Sequence, residues 1–392
     1  MSDTELRLRD VVAVLDEWYP PADAESWDAV GLVCGDPSDK VSAIRLAVDA
    51  TPAVVEEAIA AGDQLLITHH PLLLTGVHGV AADDPKGALV HRMIRHGVAH
   101  FVAHTNADVA RPGVNDALAD LVGVVETAPL DPLPVPPLDK LVVFVPSAAR
   151  AAVVSALTEV GAGELGDYDR CTFRAEGIGT FRPRPGAHPA VGAVGELSEV
   201  PESRLEIVYP RAAREAVIAA LRRSHPYEEP AFDIFEHARQ LSGRGLGRVG
   251  QLSGQLTLRQ FTDRCAQRLP RTAGGVRSAG DPGRPVRRVA VCGGAGGSLT
   301  ETARRAGADV FLTSDLRHHV VLEAVTERGA DAMALVDAAH WATESPWLPH
   351  LAARFRDRFD ARAPATKVTV SHLVTDPWTG HAPSAGRDRD DV

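Results

Sequence analysis

The stretch IRLAVDATPAVVEEAIAAGDQLLITHHP, residues 44–71, reads as strand, helix and strand, and its last strand runs straight into a histidine pair. IRLAVDAT is rich in aliphatic residues. Thr51-Pro52 is a helix-opening dipeptide, because proline fits the first helical position and threonine can cap the free amides. PAVVEEAIAA then carries the helix to Gly62, a stop signal. QLLITHH is a continuous apolar run of the kind a strand buried on both faces requires. Working outward, RDVVAVLDEWYP (9–20) has apolar residues at helical spacing and stops at Pro20. GALVHRMIRHG (87–97) is a helix, VAHFVAHTN (98–106) a strand and PGVNDALADLVG (112–123) a helix. Strands alternating with helices predict a layered α/β sheet.

The pattern changes at APLDPLPVPPLDK (128–140), a proline-rich stretch that reads as a linker. Beyond it, KLVVFVP and AARAAVVSALTEVG form a strand and a helix, and SRLEIVYP and RAAREAVIAALRRSHP repeat that order. Two strand–helix units with intervening hairpin strands predict a small ferredoxin-like α+β module. From GRGLGRVGQL (243–252) the α/β pattern resumes, with strands expected in VRRVAVCGG, DVFLTSD, AMALVDAA and TKVTVSHLV. The expected organisation is therefore an α/β domain from residues 1–128 and 245–375, a domain inserted at 139–238, and a disordered Gly/Pro-rich polar tail at 376–392.

Bulk properties exclude several classes. The chain has 392 residues, too many for one ordinary core. Its net charge of −11 argues against non-specific nucleic-acid binding, since phosphates would be repelled. Four cysteines, Cys34, Cys171, Cys265 and Cys292, form no CxxC pair, so neither a disulfide framework nor a zinc-thiolate site is expected. The N-terminus lacks a signal-peptide core, and no uncharged apolar run reaches the roughly 18 residues of a membrane span. A cytoplasmic protein with reduced thiols is the expectation. The six arginines between Arg268 and Arg288 read as a solvated loop.

The chemistry concentrates at predicted strand ends, where open α/β sheets bind ligands. His69 and His70 follow LLIT. Neighbouring strand residues point to opposite faces, so both imidazoles reach one site only if the chain turns, and Pro71 supplies that turn. Alone, the pair reads better as one packed and one solvated histidine. His104 and Asp108 follow HFVA. Asp108 is a carboxylate ligand candidate or a turn carboxylate, and His104 is a ligand or a group that orients one. His340 and Glu344, in DAAHWATE, share one face of a helix at a spacing of four. Together these residues offer imidazoles and carboxylates in the proportion that two divalent ions need. Glu344 or Asp108 could bridge the ions, and two ions about 3.5–4 Å apart lower the pKa of bound water. Mixed N/O ligation suits zinc, iron(II) or manganese.

Seven motifs carry a resemblance: WDAVGLVCGD (27–36), ITHHPLL (67–73), AHTNADVARPGVNDALA (103–119), SHPYEEPAFDIF (224–235), CGGAGGSL (292–299), GADVFLTSDLRHHVVLEA (307–324) and DAAHWATE (337–344). In this order they resemble the NIF3 family, over nearly the whole chain except the tail. The resemblance implies a NIF3-like α/β domain with a PII-like insertion. It also implies one metal held by His69 and His340, another by His70 and Asp108, and Glu344 touching both. A homohexameric toroid, and hydrolytic opening of the GTP purine ring with release of formate, are implied in turn. Glu344 would be essential to catalysis, and His104 or His319 would shuttle protons. Where family members usually carry glycine, this chain has Ser314 and Ala339. These changes spare every candidate ligand but bear on substrate access.

Two other signals read as structural. CGGAGGSL lacks the Lys-Ser/Thr of a P-loop and fits a close-packed strand–helix turn better than a phosphate cradle. Glu228 and Glu229 in HPYEEP are adjacent in sequence and lie in the insert, away from the histidines. A metal-dependent hydrolase of a nucleotide-type substrate is the leading expectation, and a metal-binding regulatory or partner-binding hexamer is the alternative.

Overall fold

The chain opens with α1 (Leu8–Trp18), which buries Leu8, Val11, Val14 and Leu15 along one stripe. β1 (Gly31–Cys34), β2 (Ala43–Ala47), α2 (Pro52–Ala61), β3 (Leu65–Thr68), α3 (Pro85–Arg95), β4 (Ala99–Val102), α4 (Thr105–Val109), α5 (Val114–Val122) and β5 (Val124–Pro134) follow. Next come β6 (Leu138–Pro146), α6 (Arg150–Thr158), β7 (Thr172–Phe181), β8 (Ser198–Pro210), α7 (Arg214–Ser224) and β9 (Phe232–Glu236). The last part contains β10 (Leu241–Thr257), α8 (Leu258–Arg268), β11 (Val276–Ala279), β12 (Pro285–Val291), α9 (Thr300–Arg305), β13 (Val310–Ser314), α10 (His318–Thr326), β14 (Ala334–Ala338), α11 (His340–Glu344), α12 (Trp347–Phe359) and β15 (Lys367–Val370). This computed structural model describes residues 5–326, 333–359, 363 and 365–382.

Two compact units result, Met1–Leu133 with Gly243–Val392, and Pro134–Ser242. The first unit holds two sheets where the sequence suggested one. The five-stranded sheet has the order β1-β4-β3-β2-β15 and the six-stranded sheet the order β11-β14-β13-β12-β10-β5. Each takes strands from both ends of the chain. β15, β2, β3 and β4 run parallel, as do β12, β13 and β14. The central strands β3 and β4 are buried at every position, which explains their unbroken apolar runs. α2 begins as expected: the Thr51 hydroxyl accepts from the Val54 amide at 3.3 Å, and Pro52 occupies the first turn.

The proline-rich stretch is not a free linker. Residues up to Pro134 form β5, at the end of the six-stranded sheet. An edge strand needs only half of its amides for the ladder, so prolines are tolerated there. The arginine-rich segment is likewise not one loop, because it contains the edge strand β11, where Arg277 pairs with Asp337. The helix that carries His340 and Glu344 is interrupted at Pro346, which leaves α11 as a single turn ahead of α12. Residues 376–382 of the expected disordered tail are placed against the first unit and Asp376 is buried, while residues 383–392 lie outside the described residues.

The second unit has the element order βαββαβ and an all-antiparallel sheet of order β7-β8-β6-β9. That is a ferredoxin-like arrangement. α6 and α7 cover one sheet face with Val153, Leu157, Val217 and Leu221. Among the described residues, no helix is long and apolar enough to cross a membrane, and all four thiols are free.

One buried charge ties the first unit together near the strand ends. Arg248 on β10 is fully buried. Its guanidinium donates to both carboxylate oxygens of Asp116 on α5, at 2.7 and 2.8 Å. It also donates to the carbonyls of Gly245, Gly247 and Ala110. Ala110 lies two residues beyond Asp108, so the arginine anchors the segment that carries that carboxylate. Arg248→Ala removes the cation that pairs with Asp116 and three hydrogen bonds to backbone carbonyls. The expected loss is about 3–5 kcal/mol, measured from the urea midpoint of unfolding. A loss under about 1 kcal/mol would mean that the network contributes no more than a surface pair.

Candidate metal centre

Three elements, β3, α4 and α11, bring the expected residues to one place. His69 and His70 follow β3 where the backbone bends, with their amides still donating to the carbonyls of Ala47 and Val48. Their imidazole centroids are 5.0 Å apart. His104 caps α4, and its ring lies 5.1 Å from that of His69 and 5.4 Å from that of His70. His340 and Glu344 sit one turn apart on α11, with Nε2 of the histidine 2.9 Å from Oε1 of the glutamate. Glu344 is the hub. Its Oε1 also lies 3.4 Å from His69 Nε2, and its Oε2 lies 3.1 Å from His70 Nε2. Asp108 places Oδ1 3.7 Å from His69 Nε2. Two groups, His69–His70–His104 and His70–His340–Glu344, have donor atoms within 4.8 Å of one another and could hold a metal ion.

The orientation of the rings is imposed from outside. His69 Nδ1 meets the carbonyl of Ala103 at 2.9 Å. His70 Nδ1 meets Asp49 at 2.7 Å, His104 Nδ1 meets Asp28 at 2.7 Å, and His340 Nδ1 meets Asp315 at 2.6 Å. All four partners are acceptors, so Nδ1 donates in each case and Nε2 is the nitrogen left for another partner. Histidines that ligate metals are held in this way. Three atoms at the convergence, His69 Nε2, Asp108 Oδ1 and Glu344 Oε2, are buried without a hydrogen-bond partner. Orphaned atoms of that kind are costly in a folded protein unless something else satisfies them. The donor set therefore fits a divalent cation.

The electrostatics point the same way. Burial opposes the charging of His70, but Glu344 and Asp49 outweigh it and push its pKa up to about 10. Burial likewise opposes His340, yet Glu344 and Asp315 raise it to about 9. Burial would raise Glu344, but His69 and His70 hold it well below its ordinary value. Burial raises Asp108 to about 6. The cluster thus gathers positive charge around Glu344, the role that cations play in such a site. His104 differs. Burial, then the charge of His69, depress it to about 4 despite Asp28, so its imidazole stays neutral.

Sequence reasoning missed the orienting carboxylates Asp28, Asp49 and Asp315. Asp49 lies two residues beyond β2 and Asp315 one beyond β13, so the strand-end rule applied to the histidines would have found them. His319 is exposed on α10, where it contacts His318, and it is not among the residues that line the cavity. Ser314 and Ala339 cause no local strain. The Ser314 hydroxyl lies 3.0 Å from that of Thr343, and Ala339 caps α11 in extended geometry. Thr343 already donates to the His340 carbonyl, so Ser314 donates to Thr343 and braces α11. Glu228 and Glu229 line a separate cavity of about 600 Å³ in the second unit, where Tyr227 donates to Glu202.

The cluster opens into a cavity of about 1510 Å³, whose walls include Trp27, His70, His104, His340 and the loop 292–299. That loop is a close-packed turn, and one of its glycines borders the cluster itself. A Cβ on Gly294, at φ +65°, would lie 2.5 Å from Glu344 Oε1 and 3.1 Å from His340 Nε2. Gly307, at φ +73°, faces open space. Both alanine variants are expected to lose about 1–2 kcal/mol from left-handed backbone. Only Gly294→Ala should also lose binding of divalent ions, measured by equilibrium dialysis. Equal ion binding in the two variants would separate the loop from the site.

The Duf34/NIF3 (NGG1p interacting factor 3) family model matches residues 6–377. A Mycobacterium tuberculosis protein named GTP cyclohydrolase 1 type 2 homolog is 52% identical over 374 residues, covering 95% of this chain and 97% of its own length. A solved Bacillus cereus protein related to NIF3 is 34% identical, covers 95% of this chain and 98% of its own, and superimposes with a TM-score of 0.67. A Staphylococcus aureus structure is 28% identical, covers 96% and 99%, and gives a TM-score of 0.79. Given a family match over almost the full length and a relative with half its residues identical, the chain belongs to the Duf34/NIF3 family.

Proposed function

We propose that the cluster is a dinuclear divalent-metal centre and that the protein is a hydrolase acting on a nucleotide-type substrate. The observation that carries this reading is the division of labour at Glu344, where one oxygen faces His69 and His340 and the other faces His70. His69, His340 and Oε1 would hold one ion, and His70, Asp108 and Oε2 the other. Zinc, iron(II) and manganese all suit such mixed ligands. Bound there, two ions supply Lewis acidity and lower the pKa of water to near neutrality.

The chain's own residues do the rest. Asp28, Asp49 and Asp315 hold three imidazoles in one tautomer. The backbone at Gly294 closes one side of the cluster, and Trp347 packs edge-on against His69 at 5.6 Å. His104 stays neutral with Nδ1 committed to Asp28, so its remaining nitrogen can take a proton from water or return it to a leaving group. The name borne by the M. tuberculosis relative suggests GTP as the substrate, and the family resemblance implies ring opening with release of formate as the reaction. A homohexamer is part of the same reading.

The test is direct. Protein loaded with zinc, manganese or iron(II) is incubated with GTP, and formate is measured. Formate release that disappears in Glu344→Ala, with a two-to-one ion content in the parent protein, is the expected result. No formate with any of the three metals, at full ion occupancy, would refute the GTP hydrolase reading and leave a metal-binding regulatory protein.

A further inference from the structure

Beyond β15, residues 375–381 lie at the cavity. The Ser371 amide donates to the Leu46 carbonyl at 2.8 Å, and its hydroxyl donates to Glu57 at 2.6 Å. Four residues later the Thr375 hydroxyl donates to Oδ2 of Asp49. Asp376 is buried, and Trp378 and His381 line the same cavity as the histidine cluster.

Asp49 is shared. Its Oδ1 accepts from His70 Nδ1 and its Oδ2 accepts from Thr375. A carboxylate held at one oxygen can still rotate, and the imidazole it orients rotates with it. Held at both oxygens, its plane is set. The same device recurs at His104. Asp28 Oδ1 takes the His104 Nδ1 proton, while Oδ2 accepts from the amide and hydroxyl of Thr105. There the threonine is the next residue in the chain. At His70 it comes from 326 residues away in sequence. Asp315, which orients His340, is half exposed.

We propose that Thr375 is a positioning residue for the metal centre, fixing Asp49 and through it the direction of the His70 lone pair. The inference rests on reading the cluster as a metal centre. It makes the segment 375–381 part of the site, because that segment's first residue is the outer end of a ligand's hydrogen-bond chain.

The test compares full-length parent protein with Thr375→Val, Thr375→Ser and Ser371→Ala. Zinc affinity is measured by competition with a chromophoric chelator, and ligand geometry by the visible spectrum of the cobalt(II) form. Thermal unfolding confirms that each variant is folded. Thr375→Val is expected to bind one of its two zinc ions about tenfold more weakly, the lower end of what loss of an outer hydrogen-bond partner costs. Its cobalt spectrum should shift. Thr375→Ser should restore both readouts. Ser371→Ala, which loosens the segment without touching Asp49, should leave both unchanged. Parent-like affinity and spectrum in Thr375→Val would overturn the inference, and so would an equal loss in Ser371→Ala. Parent protein that binds no zinc or cobalt would instead overturn the metal-centre reading, and this inference with it.

Discussion

Glu344 is the constraint around which the first unit is arranged. It is a nearly fully buried carboxylate that must face three imidazoles at once, and a buried charge survives only if it is compensated. Compensation comes largely from residues about 275 positions earlier in the chain, at the strand ends of the other sheet. β3 delivers His69 and His70, β4 delivers His104, and β14 leads into α11. The two sheets each combine strands from both ends of the chain. The fold therefore builds its site by closing long loops, which is entropically expensive, and it offsets that cost with cores of aliphatic side chains.

Rigidity in the cluster comes from the layer behind it. Each imidazole has one nitrogen spent on a fixed acceptor, so each ring can offer only the other nitrogen inward. Arg248 holds the segment after Asp108, Asn115 joins the Asp108 carbonyl to the Gly293 amide, and Ser314 braces α11 through Thr343. These contacts connect the separate strand ends before any ligand arrives. Preorganisation of this kind is what lets a site bind a cation without rearranging.

Much of this was legible in the amino-acid order. The strand–helix–strand reading of 44–71 holds because threonine, proline and glycine sit where their backbone chemistry demands. His340 and Glu344 meet because a four-residue spacing on a helix leaves them no other choice. The less legible parts share one cause: they depend on neighbours that are distant in sequence. The prolines of β5 look like a linker until an edge position excuses their missing amides. The sequence suggested one sheet, because the strand pairings that divide it in two are long-range. Asp49 looks like a strand-end carboxylate until His70 and Thr375 flank it. The chain from Asp376 looks like solvent-exposed tail, since only tertiary contact buries that carboxylate. Gly294 reads as a turn residue, and its closeness to Glu344 exists only in three dimensions.

The central claim is that these converging nitrogens and oxygens hold two cations. Anomalous X-ray diffraction from crystals soaked in zinc tests it most directly. The account predicts two peaks per chain, one among His69, His340 and Glu344 and the other among His70, Asp108 and Glu344, each about 2.0–2.2 Å from its ligand atoms. No peak in that cluster, with zinc bound elsewhere on the surface, would contradict it.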